Sequence, residues 1–168
     1  NATASLQAAS TATADIPILA TSITDYATAL DLSDFSGTTG MNISGTSDLA
    51  PLSEQADMLH ELFPDAKNVG ILYCSAEPNS KFQATTVTES LKKYGYEVKE
   101  YTFSDSNDVA SVTTTACNES DVIYIPTDNT AASNAEVINN IAEPAKKPII
   151  AGEEGICKGC GIRSEERR

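Results

Sequence analysis

Tryptophan is absent from these 168 residues, and histidine occurs once, at position 60. Basic residues are scarce: 11 Lys and Arg stand against 24 Asp and Glu, a net charge of −13. That deficit excludes a nucleic-acid partner, because phosphate binding needs a surplus of Lys and Arg. It also argues against an anionic membrane surface. The acidic residues are spread along the chain, so solubility is the plain reading of the charge. No apolar run approaches the roughly 20 residues of a membrane span, so no direct membrane insertion is expected. No basic-then-apolar leader opens the sequence, and no signal peptide is expected within it.

The chemistry of enzymes is thinly represented. One histidine, placed in the middle of an expected helix, offers no Ser/His pair. Gly152-Glu-Glu-Gly155 lacks the lysine of a phosphate-binding loop. Glu153 and Glu154 point to opposite sides of an extended chain, poor geometry for shared acid/base work. Four cysteines occur, at 74, 117, 157 and 160. Cys157-Lys-Gly-Cys160 has the spacing of redox and zinc sites. A structural zinc wants four ligands, and there is no second such pair. A redox motif of this type would be followed by a helix, whereas here eight residues remain. Two incidental thiols in a loop are the favoured reading. A small α/β enzyme, or a redox or metal domain using this pair, is the alternative. No cofactor and no metal are expected.

From Leu52 onward, helical and strand patterns alternate. Leu52, Ala56, Leu59 and Leu62 recur at helical spacing between Pro51 and Pro64. Asn68-Val-Gly-Ile-Leu-Tyr73 is a short apolar run suited to a buried strand. Ser80 and Gln83 match a capping box. The helix they would open carries Phe82, Val87, Leu91 and Tyr94 and stops at Gly95. Tyr96 to Phe103 alternates as a strand. Asn107 to Cys117 reads as a helix with Val109, Val112 and Ala116 inward. Asp121 to Ile125 reads as a second buried strand. Asn129 caps a helix carrying Ala135, Ile138 and Ile141 that ends near Pro144. Pro148 to Ile150 is one more strand. Strands separated by helices imply parallel pairing with right-handed crossovers. The expected fold is α/β, a parallel sheet with helices on both faces over about residues 52–155. Strands fall near 68–73, 97–102, 121–125 and 148–150.

The first fifty residues differ. Residues 1–14 are rich in Ala and Thr and suit a helix. Ile16 to Ala20 is a short strand, Ser22 to Asp25 a polar loop, and Met41 to Asp48 an extended connector. One strand and one helix cannot bury a core alone, so residues 1–50 read as part of a second lobe. Residues 51–156 are the ligand-binding lobe, and 157–168 a divergent tail.

In an open parallel sheet, ligands bind beyond the carboxyl ends of the strands. Three such loops are unusually polar: Ser75 to Ser80, Pro126 to Thr130 and Gly152 to Gly155. A fourth, Thr21 to Asp25, follows the strand of the first segment. Backbone donors beside Asp128, Glu153 and Glu154 suit a zwitterion such as an amino acid. Asn79, Ser80, Asp128 and Asn129 also fit helix caps, and Tyr73, Tyr124 and Phe82 are explained as core.

The blocks Asn68 to Tyr73 with Glu77-Pro-Asn-Ser80, Asp121 to Thr130, and Pro148 to Gly155 resemble the ABC transporter substrate-binding protein family that includes tryptophan/tyrosine-binding lipoproteins. Ile16 to Asp25 and Ser44 to Ala50 are similar to it too. The resemblance spans about Ala2 to Ile156. It implies a type I periplasmic-binding fold, with two α/β lobes around a hinge closing on a small solute, an aromatic amino acid being favoured. The family's cleft residues map to Ser22, Thr24 and Asp25 in the first lobe. In the second they map to Glu77, Asn79, Ser80, Thr127, Asp128, Asn129 and Glu153. The resemblance also implies an importer permease as partner and an extracytoplasmic location, periplasmic or as a cell-surface lipoprotein. Family members begin earlier and continue past Gly155, so a chain truncated at both ends is expected. In such a chain residues 1–50 are the less ordered part, or are ordered only by self-association, and ligand affinity is reduced.

Overall fold

The computed structural model describes residues 2–160. Two compact units divide at Ala50 and Pro51. The second unit begins with α3 (Leu52–Leu62), β3 (Asn68–Cys74), α4 (Pro78–Lys93) and β4 (Glu97–Phe103). It continues with α5 (Val109–Glu119), β5 (Val122–Ile125), α6 (Asn129–Ser133) and α7 (Ala135–Ala142). β6 (Ile149–Ala151) and α8 (Glu154–Cys160) complete it. The four strands form one parallel sheet in the order β4-β3-β5-β6, as the alternation of helices and strands requires.

Side chains alternate across this sheet, and both faces are covered. Leu72, Cys74, Ile123, Ile125 and Ile149 pack with Val109, Ala116, Ile138 and Ile156 of α5, α7 and α8. The alternate residues Ile71, Tyr73, Tyr124 and Ile150 are buried as well. Here the Tyr124 hydroxyl donates to Gln55 of α3 at 2.6 Å, and α4 packs on α3 and β3. Because β3 lies between β4 and β5, the crossovers diverge on its two sides. The carboxyl ends of β3 and β5 are therefore a topological switch point, where a crevice opens in this class of fold.

The first unit holds α1 (Thr3–Ala12), β1 (Ile18–Ile23), α2 (Tyr26–Leu30) and β2 (Ile43–Ser47). The expected connector over 41–48 is thus a strand. It pairs in parallel with β1, Ile18 opposite Ile43 and Ala20 opposite Gly45. The approach demands glycine: a Cβ at position 45 would stand 2.0 Å from the Ala20 carbonyl oxygen and 2.3 Å from the Tyr26 hydroxyl. A second strand lets this segment bury Leu6, Ala20, Ile23, Tyr26, Ala29 and Ile43 together.

Three local expectations are corrected. The helix after β3 starts at Pro78 with Glu77 as its N-cap, so Ser80 and Gln83 lie inside it and form no capping box. Proline suits the first helical position, where its missing N–H costs nothing. The helix after β5 is capped by Asp128 rather than Asn129. It also breaks at Asn134, whose side chain donates to the Thr130 carbonyl at 2.8 Å and competes with the helical ladder. Finally, the polar segment 22–25 begins within β1.

Candidate functional site

The loops leaving β3 and β5 meet at the switch point, and side chains tie them together. Asp128 is almost fully buried. One of its oxygens accepts the Cys74 amide at 2.7 Å and the other the Ala131 amide at 2.7 Å. It thus caps α6 and pins that cap to the end of β3. Burial pushes its carboxyl up from the usual range, against the pull of the two amides.

The inner face of α4 grips the neighbouring residue. The Thr127 carbonyl accepts from Asn79 Nδ2 at 3.1 Å, Ser80 Oγ at 3.3 Å and Gln83 Nε2 at 3.1 Å. The Thr127 amide donates back to Gln83 Oε1 at 3.1 Å. Asn79, Ser80 and Gln83 are buried polar groups in a helix. Their burial is tolerable because each has a partner. Gln83 was missed as a site-forming residue. Its signal was a polar side chain on the same core-facing stripe as Ala84, Val87 and Leu91, which the capping reading explained.

Glu77 reaches across from the β3 loop. Its Oε1 accepts the Thr130 amide and hydroxyl at 2.9 and 2.8 Å. Its Oε2 accepts the Asn129 amide and Nδ2 at 3.0 and 2.8 Å. Burial pushes this carboxyl up, but the four hydrogen bonds outweigh it and leave the group below its ordinary value. Thr127 and Glu77 are half-exposed and Asn129 is exposed. At the end of β6, half-exposed Glu153 accepts the Gly155 and Ile156 amides at 2.8 and 2.6 Å and so caps α8. Gly152 allows this loop to lie against the β5 loop, since a Cβ there would meet Pro126 and Thr127 backbone at 2.8 and 2.9 Å. Seven expected residues, Glu77, Asn79, Ser80, Thr127, Asp128, Asn129 and Glu153, thus stand on the carboxyl edge of one sheet.

In the first unit, Ser22 is exposed and has a left-handed φ of 58°, at the register shift of β1. Thr24 is buried, and Asp25 caps α2 by accepting the Thr28 amide at 2.7 Å. A cavity of about 480 Å³ beside them is lined by Asp25, Tyr26, Phe35, Met41, Ile43 and Ser47, among others. Phe35 stacks on Tyr26 with ring centres 6.4 Å apart.

Cys74 and Cys117 are buried free thiols, and Cys157 packs against the main core. The tail expected over 157–168 begins inside α8, so Cys157 lies in a helix and not in the expected loop, while the Cys160 side chain and residues 161–168 lie outside the described residues. Among the described residues, no cluster of three or more His, Cys, Asp or Glu side chains is placed to hold a metal. No helix among them is long and apolar enough to cross a membrane.

Comparison with known proteins agrees with this fold. The family model for ABC transporter substrate binding protein matches residues 1–164. The chain is 38% identical over 169 residues to the tyrosine-binding protein of Clostridioides difficile (strain R20291), covering 98% of this chain and 49% of the relative. It therefore spans about half the length of that curated relative. Among solved structures, it is similar to the ABC domain in complex with L-Trp from Streptococcus pneumonia. There the TM-score is 0.90 and the identity 30%, over 98% of this chain and 58% of that one. A conserved domain protein from Vibrio cholerae O1 biovar eltor str. N16961 superposes with a TM-score of 0.89 at 32% identity, over 98% and 56% of the two chains. The ligand-free, open structure of a substrate-binding protein with adhesive properties from Clostridium difficile gives 0.67 at 38% identity, over 96% and 56%. The fold is that of periplasmic binding proteins, and the family is one of substrate-binding proteins, extracytoplasmic in general, rather than a class of enzymes. This chain belongs to the ABC transporter substrate-binding protein family.

Proposed function

We propose that this chain serves as the solute-binding component of an ABC importer and binds an aromatic amino acid reversibly, without turnover. The observation that carries the reading is the family match over residues 1–164. It is joined by one relative named for tyrosine and one solved with L-Trp. The polar loops at the switch point support it: they gather carboxylates, hydroxyls and amide side chains on one edge, the kinds of group a zwitterion requires. In this reading the contacts come from the side chains open to solvent, Ser22, Asp25, Thr127, Asn129 and Glu153. The buried Thr24, Asn79, Ser80 and Asp128 hold those loops in place. Half-exposed Glu153 is the acceptor for the ligand's ammonium group. The protein works outside the cytoplasm, in the periplasm or as a cell-surface lipoprotein, and delivers its solute to the importer's permease.

Titration calorimetry with L-Trp, L-Tyr and L-Ala tests this. One saturable site for an aromatic amino acid, with none for L-Ala and the ligand recovered unchanged, is expected. No heat with any amino acid would overturn the solute class. A covalently altered ligand would favour an enzyme.

A further inference from the structure

We propose that Glu77 is a positioning residue: it fixes the loop after β5 from the loop after β3, so that a ligand meets an edge already formed. The inference rests on reading this edge as the ligand site. Glu77 is the N-cap of α4, yet its side chain caps none of that helix's backbone amides. It crosses 52 and 53 positions of sequence to Asn129 and Thr130 instead. Each carboxylate oxygen takes one backbone amide and one side-chain donor from a single residue, Oε1 from Thr130 and Oε2 from Asn129. Oε2 also accepts Asn79 Nδ2 at 3.4 Å.

The rest of the loop is held by other groups. Thr127 is gripped by Asn79, Ser80 and Gln83, and Asp128 by the Cys74 amide. Across from β3 and α4, Glu77 is the group that reaches residues 129 and 130, the more exposed part of the loop. The chemistry demands a carboxylate. Two acceptor oxygens serve two pairs of donors, and bonds to an ionised acceptor are the stronger kind. A glutamine satisfies one pair and turns an NH2 group toward the other. A glutamate reserved for a ligand's ammonium would keep lone pairs open; the four short bonds from Asn129 and Thr130, two on each oxygen, already fill the roughly four acceptor sites of the Glu77 carboxylate. A loop held this way loses little conformational freedom on binding, which conserves affinity.

Two measurements on the full chain, wild type, Glu77→Gln and Thr130→Val, decide the matter. The first is amide hydrogen exchange without ligand. Glu77→Gln is expected to speed exchange at Asn129, Thr130 or both by about tenfold or more, with β3 and β5 amides unchanged, as for a local opening. Unchanged exchange at both positions overturns the proposal. If β3 and β5 also exchange faster, the fold itself has loosened. Thr130→Val, which removes one bond to Glu77, then decides: acceleration at Asn129 or Thr130 supports the proposal, and none overturns it.

The second measurement compares affinity for L-Trp and for indole-3-propionate, which has the ring and carboxylate but no ammonium group. A positioning role lowers both affinities by the same factor. A loss confined to L-Trp makes Glu77 a direct ammonium contact and overturns the proposal. If wild type binds neither compound, the functional reading fails by itself, while the exchange result still decides the role of Glu77.

Discussion

The two units use the same parallel pairing with unequal support. In the second, β3, β5 and β6 are buried on both faces by helices, as parallel strands normally are. In the first, β1 and β2 form a two-stranded sheet. One of its faces packs on α1 and α2, while Leu19 stays 85% exposed and Ile16 66%. The strand sequences show why. Asn68-Val-Gly-Ile-Leu-Tyr-Cys74 is apolar at nearly every position, whereas Ile43-Ser-Gly-Thr-Ser47 is apolar only at its start. Stability therefore resides in the second unit, and that unit also carries most of the candidate site.

The sharpest way to break this contrast is to hollow each core in turn. Ile123→Ala should cost the second unit about 2–5 kcal/mol, a buried large-to-small change in the cluster it forms with Val109, Ala116 and Ile138. Leu6→Ala should leave the exchange protection of β3 and β5 at the wild-type level while abolishing that of β1 and β2. Equal loss in both units from Leu6→Ala would show that they unfold as one.

A smaller effect is expected from Gly45→Ala. The new Cβ meets the Ala20 carbonyl, which belongs to the paired strand and cannot swing aside. A cost of about 1–3 kcal/mol confined to the first unit follows from overpacking. Denaturation followed by exchange at Ala20 and Ile71 separates the units. A wild-type first unit in this variant would mean that the β1–β2 pairing is looser than the register requires.

Acid sharpens the comparison further. The Glu77 carboxyl lies below its ordinary value because its hydrogen bonds favour the ionised form. Its contribution is therefore present above the ordinary carboxylate pKa of about 4.3 and lost as pH falls through that value toward the folded one. The stability gap between wild type and Glu77→Gln should be open at pH 7 and close on acidification, with the first unit indifferent. A gap independent of pH from 7 to 3 would contradict the ionised strap. Smallest of all is the double change Cys157→Ser with Cys160→Ser. It should move the melting temperature by no more than about 2–4 °C, as for a change worth about 1 kcal/mol in a chain of this size. Stoichiometric zinc in the wild type, or a large loss of stability on reduction, would restore a role for the pair.

The second unit's strands and helices could be read from periodicity because each buries an apolar stripe or run. What escaped was set by side chains bonding to backbone. The break at Asn134 depends on one amide competing for a helical carbonyl. The start of α4 depends on Glu77 extending its backbone while its side chain serves another loop. β2 was hidden because its stability comes from register with β1 rather than from its own residues. For the site, the loop positions followed from the fold rule for parallel sheets. The division of labour among residues did not, because Asp128 and Asn129 are both cap-forming types, and only the buried amide of Cys74 selects between them. Ser22, an ordinary residue in sequence, takes a left-handed φ that no local pattern announces.

The most direct test of the binding edge is to map L-Trp, or L-Tyr, onto the backbone amides by NMR. Shifts concentrated in residues 75–80, 126–130 and 152–155, at the carboxyl ends of the strands, are predicted. The loops at the opposite edge, residues 64–67 and 119–121, should stay still. Saturable shifts centred on that opposite edge, where Leu62, Pro64, Lys67 and Asp121 help to line another cavity of about 490 Å³, would contradict the assignment.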